Sequence, residues 1–312
     1  VRFLARWGKR LGIALLAVLV AITIAAAIYD GVTPGGVAAS ALYAGPYVQV
    51  DGRELAYRRW GTHGTPIVLI GGFIEATDVW RRVAPLLART HRVYAVDLPP
   101  FGYSERKGPY LLSTWVDEVE GFEHAMHITR PTIVGHSLGA AVVVGEALRR
   151  PNALRAIVLL DGDALRAGRA PSWVPSLVVD PYYTALYRFV TGSDWIFRKG
   201  LKAAYGPSAP HFTDAEVDDW QRPFRVAGTA AAFKQSISHG IQGWTTADLR
   251  RVRGVRTVVA WGAHDTTDAV SEGRASARAL RAPFVLLPNA GHLSMLADPT
   301  GVASAIRRAA GG

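Results

Sequence analysis

Polar and apolar positions along this chain fall into two regimes. Leu11 to Ile28 carries no charge and is almost entirely apolar, preceded by Arg2, Arg6, Lys9 and Arg10. From Pro66 onward the apolar residues come instead as short, partly β-branched runs: Pro66 to Ile70, Val93 to Val96, Pro131 to Val134, Ala156 to Leu160, Gly254 to Trp261 and Ala282 to Leu287. Continuous rather than alternating apolar runs are what strands covered on both faces require. Between them, Ser113 to His127 and Ala140 to Leu148 read as helices, the second rich in small and aliphatic residues that pack closely on a sheet. Strands alternating with helices predict an α/β fold with a mostly parallel sheet flanked by helices. Roughly ninety residues separate the run ending at Leu160 from the one beginning near Val255, too many for a loop. A mostly helical cap is expected there, over about 162–250, and Trp173, Trp195, Trp220 and Trp244 make it aromatic. Those rings either roof an apolar pocket or form the cap's own small core.

The N-terminal run is long enough for a bilayer span and longer than a typical signal-peptide core. Residues 1–29 are therefore expected to be a membrane anchor or signal sequence, 30–46 a linker of glycine, proline and small residues, and 47–310 the folded domain. Basic residues before the span place that end in the cytoplasm and the domain on the extracytoplasmic side. Ala25-Ala26-Ala27 also fits a small-x-small cleavage pattern, and cutting there would release a secreted protein.

The chemistry is concentrated at strand ends. Gly135-His136-Ser137-Leu138-Gly139 follows one apolar run and opens a helix, the context in which Gly-x-Ser-x-Gly forms a sharp turn presenting a nucleophilic serine. Asp265 follows the run ending at Trp261, and His292 follows the run ending at Leu287. Ser, Asp, His in that order suits a nucleophile, an orienting acid and a general base. Asp268, three residues on, is an alternative acid, with Asp265 then capping the following helix. His264 reads as a loop residue. His124 and His127 have a spacing that could hold a metal, but no carboxylate or third histidine completes a set, and they read as surface residues.

These segments resemble the α/β-hydrolase superfamily, from about Tyr47 to Ala310, in its serine-nucleophile, capped, esterase-like branch. Pro66-Ile67-Val68-Leu69-Ile70-Gly71-Gly72-Phe73 is similar to the strand and oxyanion turn that usually reads His-Gly-x. Val93 to Ser104 is similar to the Asp-x-Pro-Gly-x-Gly-x-Ser segment, and Trp261 to Asp265 and Gly291-His292 to the acid and base signatures. Gly71 stands where many relatives have histidine, and Pro100 where glycine is frequent. The resemblance implies that the backbone N–H groups of Phe73 and Leu138 form the oxyanion hole. Relatives that open epoxides or remove halides carry aspartate at the elbow; serine there implies acyl chemistry at a carbonyl. The expectation is a serine hydrolase acting on carboxylic esters with apolar acyl or aromatic groups. Carbon–carbon bonds, lactones and thioesters remain open at the same serine, as does a non-catalytic, ligand-binding role.

Composition narrows the partners. The formal charge is +10, but four of the basic residues flank the apolar run and the rest are scattered, with no aromatic-interleaved basic patch, so nucleic acid is not expected. There are no cysteines, which excludes disulfides and thiolate chemistry. No cofactor fingerprint follows any apolar run. The expected partners are a small ester-like molecule and, through the N-terminal helix, a membrane; nothing in the sequence speaks to oligomeric state.

Overall fold

In the computed structural model the described residues are 2–32, 35–166, 179–240 and 242–311, with side chains from Leu15 onward. Trp173 and the side chains of Arg2, Arg6, Lys9 and Arg10 lie outside them.

The apolar runs become strands β3 (Pro66–Ile70), β4 (Arg92–Val96), β5 (Thr132–His136), β6 (Ala156–Leu160), β7 (Arg256–Gly262) and β8 (Phe284–Leu287), preceded by a hairpin of β1 (Tyr47–Val50) and β2 (Arg53–Trp60). They form one sheet in the order β1-β2-β4-β3-β5-β6-β7-β8. The β1–β2 and β2–β4 pairs are antiparallel, and every later pair is parallel. All residues of β3, β5 and β6 are buried, because helices cover both faces. The C-terminal ends of the parallel strands consequently share one edge, where ligands of open α/β sheets bind.

In chain order the helices are α1 (Arg2–Val32), α2 (Ala39–Leu42), α3 (Ala84–Leu87), α4 (Leu112–Ala125), α5 (Leu138–Arg149), α6 (Tyr182–Gly192), α7 (Asp194–Tyr205), α8 (Asp214–Gln221), α9 (Thr229–Ser238), α10 (Thr246–Arg251), α11 (Val270–Leu280), α12 (Ser294–Ala297) and α13 (Pro299–Ala310). One core face joins α4, α5 and α11 through Phe122, Val143, Trp261 and Ala277. The opposite face joins α3 and α13 through Leu87, Val158, Ala303 and Ile306. Helices α6 to α10 occupy the insertion between β6 and β7 where a cap is expected, with α10 packed on the core helices α5 and α11. Its helix starts are written locally: Ser193 caps α7, and Thr213 with Glu216 and Thr245 with Asp248 form capping boxes on α8 and α10.

The expected linker is not a free tether. Helix α1 continues to Val32, and Val37 pairs with the cap, donating its N–H to Arg225 O (2.9 Å) and accepting from Ala227 N–H (2.8 Å). Tyr43 is buried and stacks on Tyr103 at 4.8 Å. Gly, Pro and small residues here let the chain lie flat on the domain.

Candidate active site

Ser137 sits between β5 and α5 with φ 49° and ψ −117°, a conformation that costs a non-glycine residue about 1–3 kcal/mol and persists only where surroundings enforce it. They enforce it here through contact. A Cβ on Gly135 would come within 2.1 Å of Gly139 O, so strand and helix touch backbone to backbone. Ser137 N–H donates to Leu160 O at 2.9 Å, fixing the turn to β6. Leu138 is the first residue of α5, so its N–H has no intrahelical acceptor and lies at the positive end of the helix.

The turn after β3 approaches the same point. A Cβ on Gly72 would lie 2.8 Å from Ser137 Cβ, so only glycine lets this loop come so close. Phe73 follows directly after this close approach, and its ring packs on Phe101 at 5.1 Å and Phe233 at 5.0 Å.

Asp265 and His292 meet at the ends of β7 and β8: His292 Nδ1–H donates to Asp265 Oδ2 at 2.8 Å, and the Asp265 carboxylate is fully shielded. Asp265 Oδ1 accepts the N–H groups of Thr267 (2.8 Å) and Asp268 (3.0 Å), which locks the carboxylate in place. Asp268 makes no side-chain bond to the imidazole; burial raises its pKa, and the positive field of His292 opposes that. Ser137 Oγ forms no hydrogen bond to His292 here, although the rings of His136 and His292 lie 4.8 Å apart, which brings the His292 imidazole to the elbow. In unliganded sites such bonds are often long and tighten with substrate. His264 is an exposed loop residue whose N–H donates to Ala290 O. His124 and His127 are exposed, and no metal-ligating cluster occurs among the described residues.

Sequence reasoning missed a buried polar network under this site. Gly72 N–H donates to Glu75 Oε2 (2.5 Å), and the same oxygen meets His136 Nδ1 at 2.9 Å. His136 Nε2 lies 2.8 Å from the backbone carbonyl of His292. A carbonyl only accepts, so Nε2 carries hydrogen, and Nδ1 faces a carboxylate oxygen already receiving an N–H. A protonated His136 makes this contact a buried ion pair. Burial alone would push the His136 pKa down, but Glu75, and then Asp161, outweigh it and hold it up at about 9. Asp161 accepts Gly262 N–H (2.6 Å) and the Ser294 hydroxyl, and lies 3.9 Å from His136; burial raises its pKa to about 7 against those partners. The network ties the turn after β3, the elbow and the His292 loop together. His136 occupies a variable position of the pentapeptide, and Glu75 lies in an unpatterned turn, so no local signal marked either.

Comparison with known proteins agrees with this architecture. A family profile for the alpha/beta hydrolase fold matches residues 65–299. The chain is 23% identical over 219 residues to the hydrolase YugF of Bacillus subtilis (strain 168), covering 69% of this chain and 79% of that one. It is 37% identical over 102 residues to 2-hydroxymuconate semialdehyde hydrolase of Pseudomonas sp. (strain CF600), but that match covers only 31% of this chain and 36% of the enzyme. The crystal structure of a bacterial membrane phospholipase A superposes with a TM-score of 0.67 at 23% identity, covering 96% of each chain. That level of likeness speaks to the fold.

Proposed function

This chain belongs to the α/β-hydrolase fold family, and on that premise we propose that it is a serine hydrolase cleaving carboxylic esters of apolar acyl or aromatic groups. Ser137 Oγ attacks the carbonyl carbon while His292 Nε2 takes its proton. The carbonyl electrons move onto oxygen, where the N–H groups of Phe73 and Leu138 receive the charge. Collapse expels the alkoxide, which takes the proton from His292, and leaves an acyl-enzyme. Water, activated by the same imidazole, then releases the acid and restores Ser137. Asp265 holds the Nδ1–H tautomer and stabilises the imidazolium. Each oxyanion donor is worth about 10²–10³ in kcat.

The observation carrying this reading is the shielded 2.8 Å bond between Asp265 and His292 beside a serine held at positive φ. A purely structural or binding role explains neither the committed carboxylate nor the strained serine. The local resemblance to 2-hydroxymuconate semialdehyde hydrolase supports a second reading, carbon–carbon bond hydrolysis at the same serine. A panel of p-nitrophenyl esters set against a vinylogous diketo acid separates the two. Turnover of esters that vanishes in Ser137→Ala supports the ester reading, whereas turnover of the diketo acid alone replaces it with the second.

The reading includes a membrane anchor. The segment Leu15–Val32 of α1 has a mean hydropathy of 2.3 and is almost wholly unburied. With basic residues on its N-terminal side, the catalytic domain lies outside the cytoplasm. Cleavage near Ala25 to Ala27 would cut a helix that continues to Val32 and contacts the cap on both sides of that point, through Thr23 and Asp30. These contacts support retention.

A further inference from the structure

The cap helix α6 has no buried residue, and it packs along the C-terminal half of α1. Thr23, Ala26 and Asp30 form the half-buried stripe of α1 at helical spacing. The hydroxyls of Thr23 and Tyr182 share a hydrogen bond, and Arg188 Nη1 lies 3.1 Å from Asp30 Oδ1. The two helices therefore run side by side in the same direction over about 10 Å. Thr23 lies midway along the apolar segment Leu15–Val32, and Asp30 near its outer end. A helix touching both points occupies the same depth as the outer half of that segment.

The composition of α6 fits such a depth. Its one charged side chain, Arg188, is paired with Asp30, the one acid of α1. Its outward residues are apolar: Leu186 is 61% and Phe189 58% exposed, and Val190 is also exposed, continued by Trp195 at 69% on α7. In water this would be an apolar patch that nothing covers among the described residues. Beside a membrane span it is an interfacial helix with its apolar face in lipid.

A cleft of about 780 Å³ opens on the other side of α6, between it, α9 and the segment that leaves α1. Val37, Leu42, Tyr183, Tyr187, Phe224 and Ala230 give it mainly apolar walls. The charged groups that line it are satisfied in pairs, Asp180 with Lys234, Asp218 with Arg225 and Arg188 with Asp30. Tyr187 packs on Phe233 at 6.0 Å, and Phe233 on Phe73 at 5.0 Å, so a string of rings links the cleft to the oxyanion turn. The volume lies in the range of small-molecule sites, and walls without an unpaired charge suit a hydrocarbon chain.

We infer that α6 is seated in the lipid leaflet beside the anchor helix, and that the adjoining cleft receives the acyl chain of a lipid from that leaflet. This rests on reading residues 15–32 as a membrane span, and it names the substrate class of the proposed hydrolase as a bilayer lipid. The surface that carries substrate selection is then the membrane-facing side of the cap.

The absence of native cysteine makes the test direct. Single-cysteine variants Val20→Cys, Phe189→Cys, Ala231→Cys and Arg308→Cys of the full chain, each also carrying Ser137→Ala so that no lipid is consumed, are labelled with bimane. They are reconstituted in phosphatidylcholine vesicles with or without chain-doxyl lipid. Position 20 reports the span, 189 the outward face of α6, 231 the cleft, and 308 an exposed position on α13. The expected result is doxyl quenching at 189 and 231 to the extent seen at 20, with none at 308. Quenching at 20 alone overturns the inference and leaves the anchor standing. Quenching at 189 without 231 overturns the lipid-filled cleft. No quenching at 20 removes the anchor and the inference together. None of these readings needs turnover, so a failure of the ester hydrolase reading is seen separately.

Discussion

Replacing Glu75 by glutamine removes a negative charge from beneath the oxyanion turn and leaves the shape nearly unchanged. The glutamine carbonyl can still accept Gly72 N–H, but it cannot balance the imidazolium of His136, which is fully buried. His136 is held at about 9 against an ordinary value of 6.5, with burial pulling down and Glu75 pulling up. At about 1.4 kcal/mol per unit, that shift corresponds to roughly 3 kcal/mol, the order expected when one partner of a buried pair is lost. The sign follows from linkage: a histidine whose folded pKa is raised stabilises the fold fully below about 6.5 and loses that contribution as pH rises through about 9. The difference in unfolding free energy between wild type and Glu75→Gln should therefore be about 3 kcal/mol at pH 6 and shrink markedly by pH 9.5. Urea unfolding of the full-length protein in detergent micelles at several pH values measures it, and the variant-minus-wild-type difference cancels the other buried carboxylates. A difference that is the same at pH 6 and pH 9.5 would show that Glu75 does not hold a charged His136, and the network argument would fail.

Other consequences follow from the same geometry. Asp265→Asn should lower kcat by about 10⁴ through the wrong imidazole tautomer, while Asp268→Asn should stay within a few-fold; steady-state ester hydrolysis distinguishes them, and the reverse ranking would reassign the acid. Gly72→Ala puts a methyl 2.8 Å from Ser137 Cβ and must displace the turn carrying the Phe73 N–H. Its kcat should drop about 10²-fold with KM little changed, and an unchanged kcat would remove Phe73 from the oxyanion hole. Arg150 neutralises Glu123 and Glu146, whose carboxyls are almost fully buried and whose pKa values burial raises to about 7 and about 8. Arg150→Met should destabilise the domain by about 3 kcal/mol near pH 8 and by much less at pH 5, where both acids are neutral; equal losses at the two pH values would contradict the pairing.

How legible the fold was depended on whether the information was local. The runs at Pro66, Pro131 and Ala156 were readable because strands buried on both faces must be continuously apolar. The elbow was readable because strand, glycine, serine and helix adjoin in sequence. Asp265 and His292 were readable as the polar residues immediately past strand ends. The hairpin of β1 and β2 carries no such signal: in β2 only the adjacent pair Leu55 and Ala56 is buried, and Arg53, Glu54, Arg58 and Arg59 hide its strand character. The docking of residues 35–46 was equally hidden, since one buried tyrosine among small residues gives no periodicity. Glu75, His136 and Asp161 come from three separate strand ends, and their meeting depends on the order β3-β5-β6, which composition does not encode. The cap tryptophans do not roof one pocket: Trp220 and Trp244 pack against the two core clusters, Trp195 is exposed, and of the cap rings it is Phe233 that packs on Phe73.

The central claim is that Ser137 is an activated nucleophile. Intact-mass analysis of the full chain after treatment with a fluorophosphonate, wild type beside Ser137→Ala, tests it most directly. One adduct is expected on the wild type and none on the variant. A folded wild type without an adduct, or an adduct that persists in Ser137→Ala, would contradict it.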